Sequence, residues 1–270
     1  MKQLIGCCKD LFENFDGEKI NIDKNESLKA YFYHNNESCD YRDCEKEYFE
    51  RWFNKKSNIF EVGCGSGRIL NILRNMNYKN KYTGIEKNIA LIRLLKQSYG
   101  TLNDENVIHS DFLEYKTNVK YDLVIMPYNL LSMIKNEEQK IKILSKAYDI
   151  VTDQGVLIFD YTVRPLIPDG LECFVWDPII YTKKIDDVNY WIIIQGQENK
   201  VYNNSSWTAL YLNTKKNILY KESWKHYYTN EKCFDIFKKY QTVEHFRSYN
   251  GFIPSENSGS CLRVIEVYKK

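Results

Sequence analysis

The chain has 270 residues, 43% hydrophobic and 27% charged, with a formal net charge of +2. That balance is typical of a water-soluble globular protein with a core large enough for one big domain or a domain carrying an insertion. No long basic run calls for nucleic acid, no apolar stretch approaches membrane-spanning length, and residues Met1 to Asp10 lack a signal-peptide layout. A cytoplasmic monomer or homodimer is therefore expected. The eight cysteines are irregularly spaced, with no Cys-x-x-Cys pair, as for free thiols in a reducing compartment. Cys7, Cys8, Cys39 and Cys44 fit no usual zinc spacing, so no metal is expected.

Residues 1 to 55 read as polar and helical, with Tyr48, Phe49, Trp52 and Phe53 at helical spacing. Strands and helices then alternate. Ile59 to Gly63 reads as a strand, Arg68 to Met76 as a helix, Lys81 to Glu86 as a strand and Asn88 to Tyr99 as a helix. Asn106 to Ser110 and Tyr121 to Met126 read as strands, a helix runs from about Glu137 to Val151, and Gly155 to Tyr161 is an apolar strand. Strands that are continuous apolar runs between helices indicate a parallel sheet covered on both faces.

After about Thr162 the pattern changes. Four or five strands without a helix span Glu172 to Tyr228, with turn signals at Lys184 to Asp187, Asn203 to Ser206 and Asn213 to Asn217. This reads as an antiparallel insertion. Helix returns at Glu231 to Tyr240, and Thr242 to Tyr249 and Leu262 to Tyr268 read as final strands rejoining the main sheet. The expected organisation is a helical cap over 1–55, a core over 56–162 and 230–270, and an insertion over 163–229.

The chemistry concentrates where the first strands end. Ile59-Phe60-Glu61-Val62-Gly63-Cys64-Gly65-Ser66-Gly67-Arg68 runs from an apolar strand into three alternate glycines and a helix. Glycines there allow a sharp turn and close backbone approach to a ligand, and the helix start aims N–H groups at negative charge. Cys64 is placed there for its small size rather than as a nucleophile. Glu86, followed by Lys87, ends the second strand, where a carboxylate can accept both hydroxyls of a ribose. Asp111-Phe112 follows the third, where a carboxylate can take an adenine amino group beside an aromatic ring. Arg68 stands where a dinucleotide fingerprint would want a spacer before its third glycine, so the glycine spacing disfavours the natural rival, a nicotinamide oxidoreductase.

On these residues the chain resembles the class I S-adenosylmethionine-dependent methyltransferases, well over 57–161 and moderately over the last forty residues. Glu61 to Gly67 matches the family's E-x-G-x-G-x-G motif, Glu86 its ribose acid and Asp111-Phe112 its adenine pair. Tyr121 to Tyr128 is similar to its fourth-strand motif, and Asp153 to Ile158 to its entry into the fifth strand. The resemblance implies a Rossmann-like, seven-stranded, mostly parallel α/β sheet with helices on both faces and an antiparallel β lid. It also implies S-adenosyl-L-methionine as cofactor, held by Glu61, Gly63, Cys64, Gly65, Gly67, Arg68, Glu86, Lys87, Asp111, Phe112 and Pro127, with Tyr33, near Tyr31, closing over it.

Methyl transfer needs a positioned nucleophile and excluded water more than a triad. Ile125-Met126-Pro127-Tyr128 lacks the polar first residue that amino-methylating nucleic-acid enzymes place before Pro-Pro-Tyr/Phe. The insertion resembles that of small-molecule methyltransferases, including some acting on amino sugars. The expected acceptor is thus a small polar metabolite methylated at nitrogen or oxygen, such as an amino sugar or a phosphorylated or nucleotide-linked precursor. The alternatives are a nucleic-acid or protein methyltransferase, or a non-catalytic subunit that keeps the cofactor fold. Tyr128, Asn129, Asp160 and Tyr161 follow the fourth and fifth strands. In the insertion, Glu222, Trp224, His226 and Tyr228 share one face of a strand under period-two reading. Tyr128, Asp160 and His226 are the candidate catalytic residues. His109 reads as half-buried at a strand end.

Overall fold

The computed structural model describes residues 18–19, 49–53, 58–99, 107–163, 170–185, 187–215, 218–229, 234–235, 241–248 and 263–270. The chain divides into two compact units: one gathers residues 165–226 with the short strand β1 (Glu18–Lys19), the other residues 38–164 and 227–270.

The second unit carries β2 (Asn58–Val62), α1 (Arg68–Asn75), β3 (Lys81–Glu86), α2 (Ile89–Tyr99), β4 (Val107–His109), β5 (Tyr121–Met126), α3 (Glu137–Asp149) and β6 (Val151–Thr162). These strands form one sheet with two later strands, β12 (Gln241–Ser248) and β13 (Arg263–Lys269), in the order β12-β13-β6-β5-β2-β3-β4. β2 to β6 are mutually parallel; β13 runs antiparallel to both β6 and β12. From β2 the chain builds outward through β3 and β4, then returns to add β5 and β6 on the other side. The order therefore reverses between β2 and β5, and ligands of open α/β sheets lie beyond the strand ends at such a point.

Alternation along the strands makes two cores. Phe60, Val62, Val124, Met126, Leu157 and Phe159 point to one face, where Ile143, Leu144, Ala147 and Tyr148 of α3 cover them. Ile59, Leu123, Ile125, Val156 and Ile158 point to the other, under α1 and α2. Both faces being covered explains why Leu123 to Met126 of β5 form an unbroken apolar run. Phe49 and Phe53 stack at 5.4 Å and join the second core. They are the helical part of the N-terminal stretch that the structure describes; Glu18–Lys19 is extended there.

The first unit is a six-stranded sheet: β7 (Cys173–Val175), β8 (Ile179–Ile185), β9 (Val188–Asn199), β10 (Asn204–Asn213) and β11 (Ile218–Tyr227), with β1 parallel to β11. β8, β9 and β10 form an antiparallel meander, and β7 also pairs with β9. Tyr190, Ile192, Ala209 and Tyr211 make its core, with Trp224 packed against them.

Three sequence readings need correction. β6 starts at Val151, four residues before the apolar run, because the polar Thr152-Asp153-Gln154 continues the strand directly after α3. The turn read at Asn203 to Ser206 lies at 200–203: Ser205 and Ser206 belong to β10, Asn199 Oδ1 accepts from Tyr202 N at 3.0 Å, and Asn203 takes φ of +49°. Val201 and Tyr202 at the tip are exposed, so apolar residues disguised the turn. His109 is exposed rather than half-buried. Of the helix read over Glu231 to Tyr240, only Phe234 and Asp235 lie within the described residues.

Candidate active site

At the carboxyl end of β2, Gly63, Gly65 and Gly67 take φ of +72°, +53° and +91°. The loop is tied to β3 by Gly63 N and Cys64 N donating to Ile85 O at 2.8 and 3.1 Å. A Cβ at Gly63 would lie 2.9 Å from Leu130, and one at Gly67 would lie 2.9 Å from Leu95 and Tyr99. At Gly65 a Cβ meets only Gly63 O, at 4.0 Å, so packing does not explain that glycine. Its left-handed backbone and the open space above it make a cradle.

Glu86, at the tip of β3, is buried and holds two backbone donors: Gly65 N at 3.1 Å on Oε2 and Asn88 N at 2.8 Å on Oε1. A carboxylate oxygen carries two lone pairs, so both oxygens keep acceptor capacity after these bonds. Lys87, next along, is exposed, and its carbonyl meets the His109 ring at 3.1 Å. Asp111 follows β4; its Oδ1 accepts from Leu113 N at 2.8 Å and so fixes the turn. The Phe112 ring belongs to the core, 5.9 Å from Phe60, with Lys146 Nζ 5.2 Å from its centroid.

Below the loop, Glu61 is buried and accepts from the Tyr82 hydroxyl at 2.5 Å. Burial, then the Glu61 charge, holds the Tyr82 phenol well above its usual range. Burial, with Glu61 and Glu86 nearby, also raises the Cys64 thiol, which is the opposite of what a nucleophilic cysteine needs. Tyr82 was not singled out in the sequence. The signal was available, since Tyr82, Gly84 and Glu86 share one face of β3 and Gly84 leaves room: a Cβ there would lie 2.8 Å from Cys64 Sγ and from the Tyr82 hydroxyl. Gly84→Ala is expected to destabilise the protein by about 1–3 kcal/mol through overpacking, read by denaturant unfolding. An unchanged midpoint would contradict that packing.

Across the switch point, β5 runs into buried Pro127 and then Tyr128 and Asn129, both left-handed at φ of +66° and +57°. The Arg68 guanidinium lies 3.9 Å from the centre of the Tyr128 ring, a cation–π contact joining the two sides. Asp160 on β6 is buried, and its Oδ1 accepts from Asn129 N at 2.8 Å. Asn129 Oδ1 accepts from the Thr162 hydroxyl at 3.1 Å, and Thr162 N donates to Ser132 Oγ at 2.8 Å. Thr162 O accepts from Thr229 N at 2.9 Å, and Thr229 Oγ1 accepts from buried Lys140 Nζ at 2.7 Å. Sequence reading missed this chain of bonds because its members are far apart in sequence.

The structure thus brings together Glu61, Gly63, Cys64, Gly65, Gly67, Arg68, Glu86, Pro127, Tyr128 and Asp160, with Asp111 at the neighbouring strand tip. His226 lies half-buried on β11 of the other unit. Tyr31 and Tyr33 lie outside the described residues, as do Cys7, Cys8, Cys39 and Cys44.

The glycine loop and the carboxylates at successive strand tips lie at the reversal point of a parallel sheet, where open α/β folds bind ligands. Residues 60–157 match the family model for a methyltransferase domain. No curated protein matches the chain in sequence. Among solved structures, it is similar to an S-adenosylmethionine-dependent methyltransferase from Clostridium acetobutylicum, with TM-score 0.64 and 14% identity over 91% of this chain and 98% of that one. It is similar also to the sugar N-methyltransferase KedS8 from Streptoalloteichus, with TM-score 0.65 and 12% identity over 89% and 93%. A third, CalS10 from Micromonospora echinaspora, described as an amino pentose methyltransferase, has TM-score 0.61 and 11% identity over 88% and 95%. At such identities the likeness bears on the fold.

Proposed function

We propose that this chain is an S-adenosylmethionine-dependent methyltransferase acting on a small polar acceptor, with an amine nitrogen as the favoured nucleophile. One observation carries the reading: Glu86 ties itself to the cradle through Gly65 N while keeping acceptor capacity on both oxygens. A ribose diol can use the remaining lone pairs, and the bond to Gly65 N goes beyond what a carboxylate that only caps a helix would make.

When bound, S-adenosylmethionine supplies an electrophilic methyl group on sulfur. The residues of this chain do the rest. The Gly63 to Gly67 backbone holds the methionine end, Glu86 the ribose hydroxyls and Asp111 the adenine amino group. Lys87 and the backbone at Phe112 flank the base. Glu61 and Tyr82 brace the loop from below. Pro127 and Tyr128 line the reacting end, where Arg68 fixes the Tyr128 ring and Asp160 fixes the turn that carries it. The inserted sheet carries acceptor recognition, with His226 as its candidate polar group. The amine reading draws support from the fold shared with KedS8 and CalS10, a sugar N-methyltransferase and an amino pentose methyltransferase.

The test is incubation of the purified chain with methyl-labelled S-adenosylmethionine and pooled small metabolites. Label is expected in a small amine. Label in RNA, DNA or protein instead would overturn the acceptor class, and label in a hydroxylated product would move the nucleophile to oxygen.

A further inference from the structure

The inserted sheet holds a buried acid that the cofactor site does not use. Glu198 on β9 is 4% exposed. Its Oε1 receives a long bond, 3.4 Å, from the Trp176 indole N–H; its Oε2 is covered and has no hydrogen-bond partner among the described residues. The residues directly across on the paired strands are Phe174 and Ser205. Neither is ionisable, and the Ser205 hydroxyl already accepts from Trp207 Nε1 at 3.0 Å. Glu172 and Lys200, two positions further along, and Asp177, beside Trp176, are exposed to water. Removing a carboxylate from water for one weak neutral bond is costly, so such a group calls for an explanation.

The surroundings are aromatic. The Phe174 and Trp176 rings meet edge to face at 5.0 Å. Two residues along β9, Gly196 has no side chain, and the Trp207 ring fills the space: a Cβ there would lie 2.5 Å from it. Two indoles and a phenyl ring therefore gather about one carboxylate. Electron-rich ring faces and a carboxylate both attract an ammonium group, and the rings also pack against its carbon body. Trp176 follows the end of β7 and is half-buried. Its backbone is pinned, with Trp176 N donating to Gly196 O at 2.9 Å and Trp176 O accepting from Gln195 Nε2 at 3.5 Å. Moving the indole on its own side-chain bonds would give up the weak bond to Glu198 and the edge-to-face contact with Phe174, and would leave the backbone bonds in place.

We propose that the inserted sheet binds a small organic ammonium ion, its nitrogen on Glu198 and its carbon body among Trp176, Phe174 and Trp207. This inference rests on the insertion alone and does not depend on methyl transfer. Burial pushes the Glu198 carboxyl up to about 7, so a cation must wait for its proton to leave.

The full chain is titrated with benzylamine and, separately, with uncharged benzyl alcohol, followed by tryptophan fluorescence and calorimetry. Saturable benzylamine binding is expected, about tenfold or more tighter than the alcohol. It is expected to strengthen from pH 6 to pH 8, where the Glu198 proton is lost while the alkylammonium stays charged. Glu198→Gln, equal in shape but uncharged, is expected to weaken it by about tenfold or more. Labelled S-adenosylmethionine tells whether the bound amine is an acceptor, if it leaves methylated, or a separate ligand, if not; either outcome keeps the site. The proposal is overturned if benzylamine does not saturate, if the alcohol binds equally well, or if Glu198→Gln binds like the unaltered chain. Should that variant fail to fold, the alcohol comparison and the pH profile decide.

Discussion

Glu86→Ala is expected to weaken binding of S-adenosylmethionine or S-adenosylhomocysteine by about 2–3 kcal/mol, roughly 30- to 150-fold. Two losses combine. The ribose hydroxyls lose a charged acceptor in a place shielded from water. Gly65 N and Asn88 N also lose their acceptor, so the cradle and the start of α2 are no longer joined. Glu86→Gln separates the two, since it keeps one acceptor oxygen and turns the other position into a donor facing a backbone N–H. Its affinity is expected to fall between the other two. Calorimetry reads the affinities, and a melting curve shows whether each variant is folded. Equal affinity for the folded Glu86→Ala protein would remove the ribose assignment.

Asp160 yields the second large effect, and the expected pattern tells a positioning group from a base. Its Oδ1 holds Asn129 N, which keeps Tyr128 and Asn129 in left-handed backbone that side chains rarely adopt. Asp160→Ala is expected to cost about 1–3 kcal/mol of stability, because a partly buried N–H loses its partner and the left-handed turn loses its tie. It is also expected to lower turnover about a hundredfold by letting the turn move, while affinity for the cofactor changes little. Asp160→Asn keeps an acceptor oxygen for Asn129 N and is expected to retain most of the turnover. If Asp160→Asn is as inactive as Asp160→Ala yet as stable as the unaltered chain, Asp160 takes a proton and the positioning role is wrong.

How far the sequence reaches depends on how local the cause is. The strand-loop-helix at Ile59 to Met76 was legible because its apolar alternation and its glycine spacing both act within a few residues. Glu86 was legible as the acid that ends one strand, and Asp111 as an acid two residues beyond the next. The antiparallel insertion was visible from its turn residues, although the turn at 200–203 was misplaced by its exposed Val201 and Tyr202. What was hidden is what folding brings together from afar. Tyr82 meets Glu61 across neighbouring strands, Arg68 meets Tyr128 across the switch point, and Lys140 reaches Thr229. Glu198 looked like one more polar residue in a strand that is otherwise apolar on that face, and only burial makes it unusual.

The central claim is that the cradle and its carboxylates hold an S-adenosyl nucleoside. Parallel calorimetric titrations of the full chain with S-adenosylmethionine and with a nicotinamide dinucleotide test it most directly. Saturable one-site binding of the first, strongly weakened in Glu86→Ala, is expected, and no binding of the second. Binding of the dinucleotide alone, or of S-adenosylmethionine at full strength without Glu86, would contradict it.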